Sequence, residues 1–144
     1  MTIIILDIDD TLTQGAGAPP QNDAEWNAMF QTAAPNDVLI SQFKQKRTLS
    51  DIVIVCTGRK EKNRVITEEW LFNIGISHHI LLMRDDNDNQ VAVNVKRAHY
   101  KNIVSAMPHK FVLLIDDDDA VRAMAQQMGI FALHPNDFVR IGAQ

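Results

Sequence analysis

Three carboxylates follow directly on the first aliphatic run of the sequence. Residues 3–6 are four consecutive aliphatic side chains, and Asp7, Asp9 and Asp10 come next. Burying a charge is costly unless it is paired or binds a metal, so these acids must lie at the exposed end of a buried strand. There they could act as nucleophile, proton donor or metal ligand. A lone Asp-x-Asp also fits a solvated acidic turn, so partners elsewhere in the chain decide between the two interpretations.

Such partners follow two later aliphatic runs. The run 52–56 leads into Thr57, and the run 111–115 leads into Asp116 and Asp117. The carboxyl ends of parallel strands share one edge of a sheet, so we expect these groups to converge with Asp7. Lys96, at a predicted helix start after the third strand, falls on the same edge.

The predicted acid cluster requires a cation. Two charges about 5 Å apart at an effective dielectric near 20 repel by about 3 kcal/mol, so Asp7, Asp116 and Asp117 could not all stay ionised alone. Oxygen-only ligands favour Mg²⁺. We therefore expect Mg²⁺ as the cofactor, with metal ligands Asp7, Asp9 (through its backbone carbonyl) and Asp117, and with Asp116 in support.

The elements that must position these groups alternate along the chain. Aliphatic runs predict strands at 3–6, 52–56, 79–83, 111–115 and 130–133, and periodicity predicts helices at 22–31, 36–47, 61–74 and 96–107, with a fifth ending near 128. Residues 14–20 form a loop beside the first strand. The alternation predicts an α/β, Rossmann-like, doubly wound parallel sheet of about five strands in one domain over 1–144, without a large cap.

Composition narrows the function classes. The net charge of −4 argues against a general nucleic-acid coat, although a basic group over 44–64 is either a solvated helix surface or a rim that attracts an anionic substrate. A single cysteine, Cys56, excludes an internal disulfide, and we expect it to be a buried structural thiol. With no leader and no apolar run of about 20 residues, we expect a cytoplasmic protein without membrane contact.

Other motifs are decoys. Gly15-x-Gly17 lies too far past its strand for a dinucleotide fingerprint, and Arg59 follows Cys56 too closely for a cysteine phosphatase. A phosphorylation-receiver domain would place its lysine after the last strand, whereas Lys96 precedes the final acid pair. Trp26 and Trp70 are assigned to packing.

The ordered set resembles the haloacid dehalogenase-like (HAD) superfamily of phosphatases. Asp7-Ile8-Asp9-Asp10-Thr11 resembles its first motif, Thr57 its second, Lys96 its third and Asp116-Asp117 its fourth. Five segments of the sequence show a closer similarity, to the 3′-phosphatase domain of phage-type polynucleotide kinases. These segments are Thr57-Gly58-Arg59, residues 67–71, Leu82-Met83-Arg84, Val95-Lys96 and Ile115-Asp116-Asp117. No Gly-x-x-x-x-Gly-Lys-Ser/Thr occurs, so we expect no kinase half in this sequence.

The resemblance implies a role for each residue. Asp7 is the nucleophile that forms an aspartyl-phosphate, and Asp9 is the acid and base. Thr57 and Lys96 complete the catalytic set, and Lys96 neutralises charge on nucleophile and phosphate. Phosphate or substrate contacts fall to Ile8, Gly58, Arg59 and Arg84. Asp10 stands where many relatives carry Gly and is read as a turn residue, and Asp118 and Asp119 cap the following helix.

The implied function is a Mg²⁺-dependent phosphomonoesterase acting on nucleic-acid 3′-phosphate ends or nucleotides. Its partner is a phosphorylated small molecule or a nucleic-acid end, and the open site could be closed by a neighbouring copy in a homo-oligomer. One alternative is a capless, oligomeric sugar-phosphate phosphatase. Another is an inactive phosphate-binding or regulatory module, which the intact acid pair makes the weaker hypothesis.

Overall fold

The computed structural model describes residues 1–15 and 20–141 of the chain. The central part of the loop predicted at 14–20, residues 16–19, lies outside the described residues, as does the second glycine of the Gly15-x-Gly17 pair. No described helix is long and apolar enough to cross a membrane.

Strands and helices alternate along the described chain. The strands are β1 Thr2–Leu6, β2 Ile52–Lys60, β3 Ile80–Arg84, β4 Phe111–Ile115 and β5 Phe131–Leu133. The helices are α1 Asp23–Thr32, α2 Asp37–Lys46, α3 Arg64–Asn73, α4 Ala92–Ala106, α5 Asp119–Gln127 and α6 Pro135–Arg140. A single 3₁₀ turn, Glu61–Asn63, precedes α3.

The strands form one parallel sheet in the order β3-β2-β1-β4-β5. The first strand is central, buried on both faces, and its aliphatic side chains alternate between two apolar clusters. Ile4 and Leu6 pack on one face with α2 and α3, and Ile3 and Ile5 pack on the other with α4 and α5. The predicted α/β doubly wound fold with about five strands and no large cap is confirmed.

Local signals explain most helix ends. Asn22 and Asn36 cap α1 and α2 through their side chains, and Asp118 caps α5 by accepting from the backbone amides of Ala120 and Val121. Gly75, after α3, and Gly129, after α5, have φ of +76° and +82°, the left-handed conformation that commonly ends a helix.

The differences from the sequence-based prediction include two boundaries and one whole helix. Helix α4 begins at Ala92, so Lys96 lies one turn inside the helix rather than at its start. Strand β2 continues to Lys60, and its pairing with β3 shifts register between Cys56 and Lys60, the mark of a β-bulge. Helix α6 was not predicted at all.

Candidate active site

Adjacent strand ends bring the first and last acids together. Leu6 pairs with Ile115 in the β1–β4 register, and the Asp7 amide donates to the Ile115 carbonyl at 3.1 Å. Asp7 and Asp116 therefore leave the sheet side by side. Both are buried, with exposed fractions of 5% and 0%.

Lys96 lies between these two carboxylates. Its Nζ is 2.7 Å from Asp7 Oδ1 and 2.7 Å from Asp116 Oδ2. The ammonium is itself buried, and desolvation is the largest single effect on its pKa, which it lowers. The two carboxylates together outweigh desolvation and raise the pKa well above its usual range. Lys96 therefore remains charged at neutral pH. It reaches the two acids from within α4 rather than from the start of the helix.

Thr11 joins the first acid to the last. The chain turns tightly after Ile8, whose carbonyl accepts from the amides of Thr11, Leu12 and Thr13. This turn puts Thr11 Oγ1 2.9 Å from Asp7 Oδ2 and 3.1 Å from Asp117 Oδ1. The same oxygen accepts a hydrogen bond from the Asp117 amide. No separate role was predicted for Thr11, and its position in the Asp-x-Asp-x-Thr motif was the available signal.

Three acids form a possible cation site. Asp7, Asp116 and Asp117 each offer an oxygen, and these oxygens lie within 4.8 Å of one another. Desolvation raises the pKa of Asp7 and of Asp116 to about 6, with Lys96 opposing the rise in both; burial also raises the pKa of Asp117. Clustered carboxylates that are costly to ionise fit a hard divalent cation, for which all-oxygen ligands suit Mg²⁺. The Asp9 side chain is not part of this cluster.

Asp9 faces a different partner. Its carboxylate, almost half exposed, receives two hydrogen bonds from Arg59, Nε to Oδ2 at 3.1 Å and Nη2 to Oδ1 at 2.8 Å. Arg59 is buried, its third nitrogen donates to Thr67 Oγ1 at 3.1 Å, and its guanidinium carbon lies 3.7 Å from the Phe30 ring centroid. Arg59, predicted to contact phosphate, is thus placed where it orients Asp9.

The bulged end of β2 holds the remaining predicted residues. Thr57 is fully buried and its Oγ1 accepts from the Arg59 amide at 3.2 Å. Arg84 donates to the Gly58 carbonyl at 2.6 Å and to the carbonyls of Asp88 and Gln90 at 3.3 and 2.6 Å. Arg84 therefore connects the 85–90 loop to β2 while its charge remains at the cleft. Ile8 contributes its backbone at the turn, since its side chain is in the core.

Two clefts open beside Asp9. One, of about 420 Å³, lies between α1 and the end of β2, and the other, of about 740 Å³, lies between α1 and the turn after β1. Trp26 lines both.

Trp70 is buried, as predicted, and its Nε1 donates to the Ala33 carbonyl at 3.0 Å. Trp26 packs on Phe30 but is 38% exposed, so its assignment to packing was wrong in part. Cys56 is buried, as expected, and burial raises the pKa of its thiol to about 12.

The sheet and its acidic carboxyl edge define the chain as a HAD-type phosphatase fold. The sequence model of the family described as the polynucleotide kinase PNKP phosphatase domain matches residues 1–138. The chain belongs to this family, as the resemblance of its motifs indicated.

Solved structures agree with this assignment. Two structures of the Pnkp1/Rnl/Hen1 complex, one titled an RNA repair complex, match at 25% identity over 92% of this chain, with TM-scores of 0.73 and 0.77. The HAD domain of effector protein Lem4 from Legionella pneumophila matches at 16% identity over 92% of this chain and 84% of that one, with a TM-score of 0.52, and shares the fold. The present chain spans 42% and 45% of the two Pnkp1-complex chains. No curated protein sequence matches.

Proposed function

We propose that this chain is a Mg²⁺-dependent phosphomonoesterase that acts through an aspartyl-phosphate on Asp7. The arrangement that carries the proposal is the buried set of Asp7, Lys96 and Asp116, with Asp9 two residues beyond Asp7 at the open cleft. Membership of a phosphatase family supports the reaction class.

The first step forms a bond between a carboxylate oxygen of Asp7 and the phosphorus of the substrate. The phosphorus–oxygen ester bond breaks, and Asp9 gives its proton to the leaving alkoxide. Lys96, at 2.7 Å from Asp7, offsets negative charge that accumulates during transfer. In the second step Asp9 takes a proton from water, which attacks the phosphorus and frees Asp7 and inorganic phosphate.

The bound metal would supply electrostatic stabilisation of the phosphoryl oxygens. Asp7, Asp116 and Asp117 are the residues that would hold it, because their oxygens already lie close together. Thr11 would orient two of these ligands through its hydroxyl, and Lys96 a different pair through its ammonium.

The proposed substrate is the 3′-phosphate end of a nucleic acid. The family match supports this choice, as does the similarity to chains of the Pnkp1/Rnl/Hen1 RNA repair complex. The cleft beside Asp9 also carries four cations, Arg59, Lys60, Lys62 and Arg84, against two acids, Asp9 and Asp23. Such a cleft would attract a polyanion more strongly than a neutral sugar.

The test is a Mg²⁺ assay of phosphate release across 3′-phosphorylated oligonucleotides, 3′- and 5′-nucleotides and sugar phosphates. The proposal expects the highest kcat/KM for the oligonucleotide end and complete loss of activity with EDTA. Preference for sugar phosphates would overturn the substrate, and EDTA-resistant activity would overturn the metal. Absence of release from every substrate would favour a phosphate-binding module.

A further inference from the structure

Trp26 is a large aromatic side chain left partly in solvent beside the catalytic groups. It lies on α1 and lines both clefts that open at Asp9. The residue is 38% exposed, although a tryptophan of a helix on a small domain is normally packed away more fully. Trp26 therefore leaves part of its surface accessible to a ligand that reaches Asp9.

The indole is held by a stack that ends at Asp9. The Trp26 and Phe30 rings are 5.4 Å apart at 41°, and Phe30 is buried. The Arg59 guanidinium lies on the Phe30 ring and makes the ion pair with Asp9. Because each member rests on the next, the distance from the indole to the acid that protonates the leaving oxygen is fixed by packing.

Cations flank the exposed indole. Lys60 and Arg84 line the smaller cleft, and in the described part of the chain neither lies within salt-bridge distance of a carboxylate. Among residues 1–15 and 20–141, Lys60 Nζ hydrogen-bonds only to the Asn89 amide oxygen, at 3.1 Å, and Arg84 hydrogen-bonds only to backbone carbonyls. Their positive charges are therefore available to an anion other than the phosphate at Asp7.

An aromatic face beside free cations is the arrangement that binds a single strand. Bases stack on the ring without regard to sequence, and the cations follow the phosphate backbone. A paired base is already stacked on its neighbours and cannot use an exposed indole in this way. A sugar phosphate offers neither a base nor a second phosphate.

We propose that Trp26 stacks on a base next to the 3′-phosphate of a single-stranded end, while Lys60 and Arg84 receive the adjoining backbone phosphate. This inference rests on the proposed function and names a specificity-determining residue for it. It makes the preferred substrate at least a dinucleotide, read by stacking and charge and not by base sequence.

The test compares kcat/KM for a 3′-phosphorylated single strand with that for the same strand whose terminal nucleotides are abasic. Stacking contributes about 1–3 kcal/mol per base. The Trp26→Ala variant should therefore lose about 5- to 150-fold more kcat/KM on the intact strand than on the abasic strand. Trp26→Phe should recover most of this difference. Phe72→Ala, at an 82% exposed aromatic on α3 outside both clefts, is the matched control and should show no difference between the substrates.

Binding gives an independent readout. In an Asp7→Asn background, the 3′-phosphorylated strand should quench tryptophan fluorescence, and Trp26→Phe should abolish the quenching because Trp70 is buried. Two results would overturn the stacking role: an equal loss of kcat/KM on both substrates in Trp26→Ala, or quenching that persists in Trp26→Phe. Either result would leave the proposed phosphatase activity on the strand intact. A wild-type protein with no activity on either strand would overturn the proposed function itself.

Discussion

The Asp9 carboxylate is held by the Arg59 guanidinium through two hydrogen bonds of 2.8 and 3.1 Å, and Arg59 is itself fixed between Phe30 and Thr67. The planar guanidinium can bond a carboxylate at two points and stack on a ring at the same time, which an ammonium cannot. Arg59 is thus a positioning residue for the acid that is proposed to protonate the leaving group.

Replacement of Arg59 by Lys should therefore lower kcat by an amount that depends on the leaving group. A poorly aimed acid matters most for an alkoxide that needs a proton, and general acid catalysis contributes about 10²–10⁴-fold. We expect a loss approaching 10²-fold on an alkyl phosphate and a much smaller loss on an aryl phosphate with a good leaving group. Steady-state kinetics on both substrates measure the difference.

The double variant with Asp9→Asn is the control for this prediction. If Arg59 acts through Asp9, adding Arg59→Lys to Asp9→Asn should cost little more than Asp9→Asn alone. Equal losses on both leaving groups, or full additivity, would show that Arg59 acts on the phosphate directly.

Replacement of Asp9 by Asn should trap phosphate on Asp7. An aryl phosphate needs little help to leave, so the first step should continue, whereas hydrolysis of the phosphoenzyme lacks its base. Intact-protein mass spectrometry after mixing should detect a phosphorylated chain. The double variant with Asp7→Asn is the control, and a phosphorylated species in that variant would contradict Asp7 as the nucleophile.

Much of this constellation follows from sequence. Asp7 and Asp116 were expected to meet because each follows an aliphatic run, and parallel strands direct their carboxyl ends to one edge. The pairing of Arg59 with Asp9 was not expected. Arg59 lies within the register shift between Cys56 and Lys60, and a bulge of this kind redirects side chains without leaving a clear periodicity in the sequence.

The start of α4 and the whole of α6 were missed for physical reasons. The alternation of Val91, Val93 and Val95 is typical of a strand, but burial of Tyr100 and Ile103 on one face stabilises a helix from Ala92. Helix α6 has six residues, too few for a clear period, and its signal was Pro135 at the first turn.

Removal of the Lys96 charge should destabilise the metal-free protein. Lys96→Met leaves Asp7 and Asp116 buried without their shared cation, and breaking a buried pair typically costs about 3–5 kcal/mol. Urea unfolding in EDTA at pH 7 measures the change. Adding Asp116→Asn should restore part of the loss because one uncompensated charge disappears, and a further decrease would contradict the electrostatic explanation.

Stabilisation by Mg²⁺ should depend on pH. The pKa of Asp7 and of Asp116 is about 6 in the folded metal-free protein, above the ordinary 3.8, so the folded state holds more protons between pH 4 and 6. The contribution of this pair to the free energy of unfolding therefore falls as pH rises through that window and stays low above it. Because Mg²⁺ binds the ionised carboxylates, it should stabilise more at pH 7.5 than at pH 4.5.

At a concentration 100-fold above its Kd, Mg²⁺ should add about 2.7 kcal/mol at pH 7.5. Thermal unfolding with and without Mg²⁺ at the two pH values measures the effect. Asp117→Asn should reduce it, since Asp117 offers one of the three clustered oxygens. An equal shift in Tm at both pH values would exclude these acids as the ligands.

Asp10 should be replaceable by Gly without loss of function. Its φ of +63° is left-handed, a conformation that costs most residues about 1–2 kcal/mol and Gly almost nothing. Asp10→Ala should therefore be about 1 kcal/mol less stable than Asp10→Gly in urea unfolding, because the backbone bond from the Asp10 amide to Thr13 Oγ1 remains available to both. Both variants should keep the kcat of the parent, since the turn and not the Asp10 carboxylate holds Asp9 and Thr11 in place.

His109, with φ of +71° before β4, is the matched position for the backbone effect alone. A fall in kcat of ten-fold or more in both Asp10 variants, with His109→Gly unchanged, would show that the carboxylate itself takes part in the reaction.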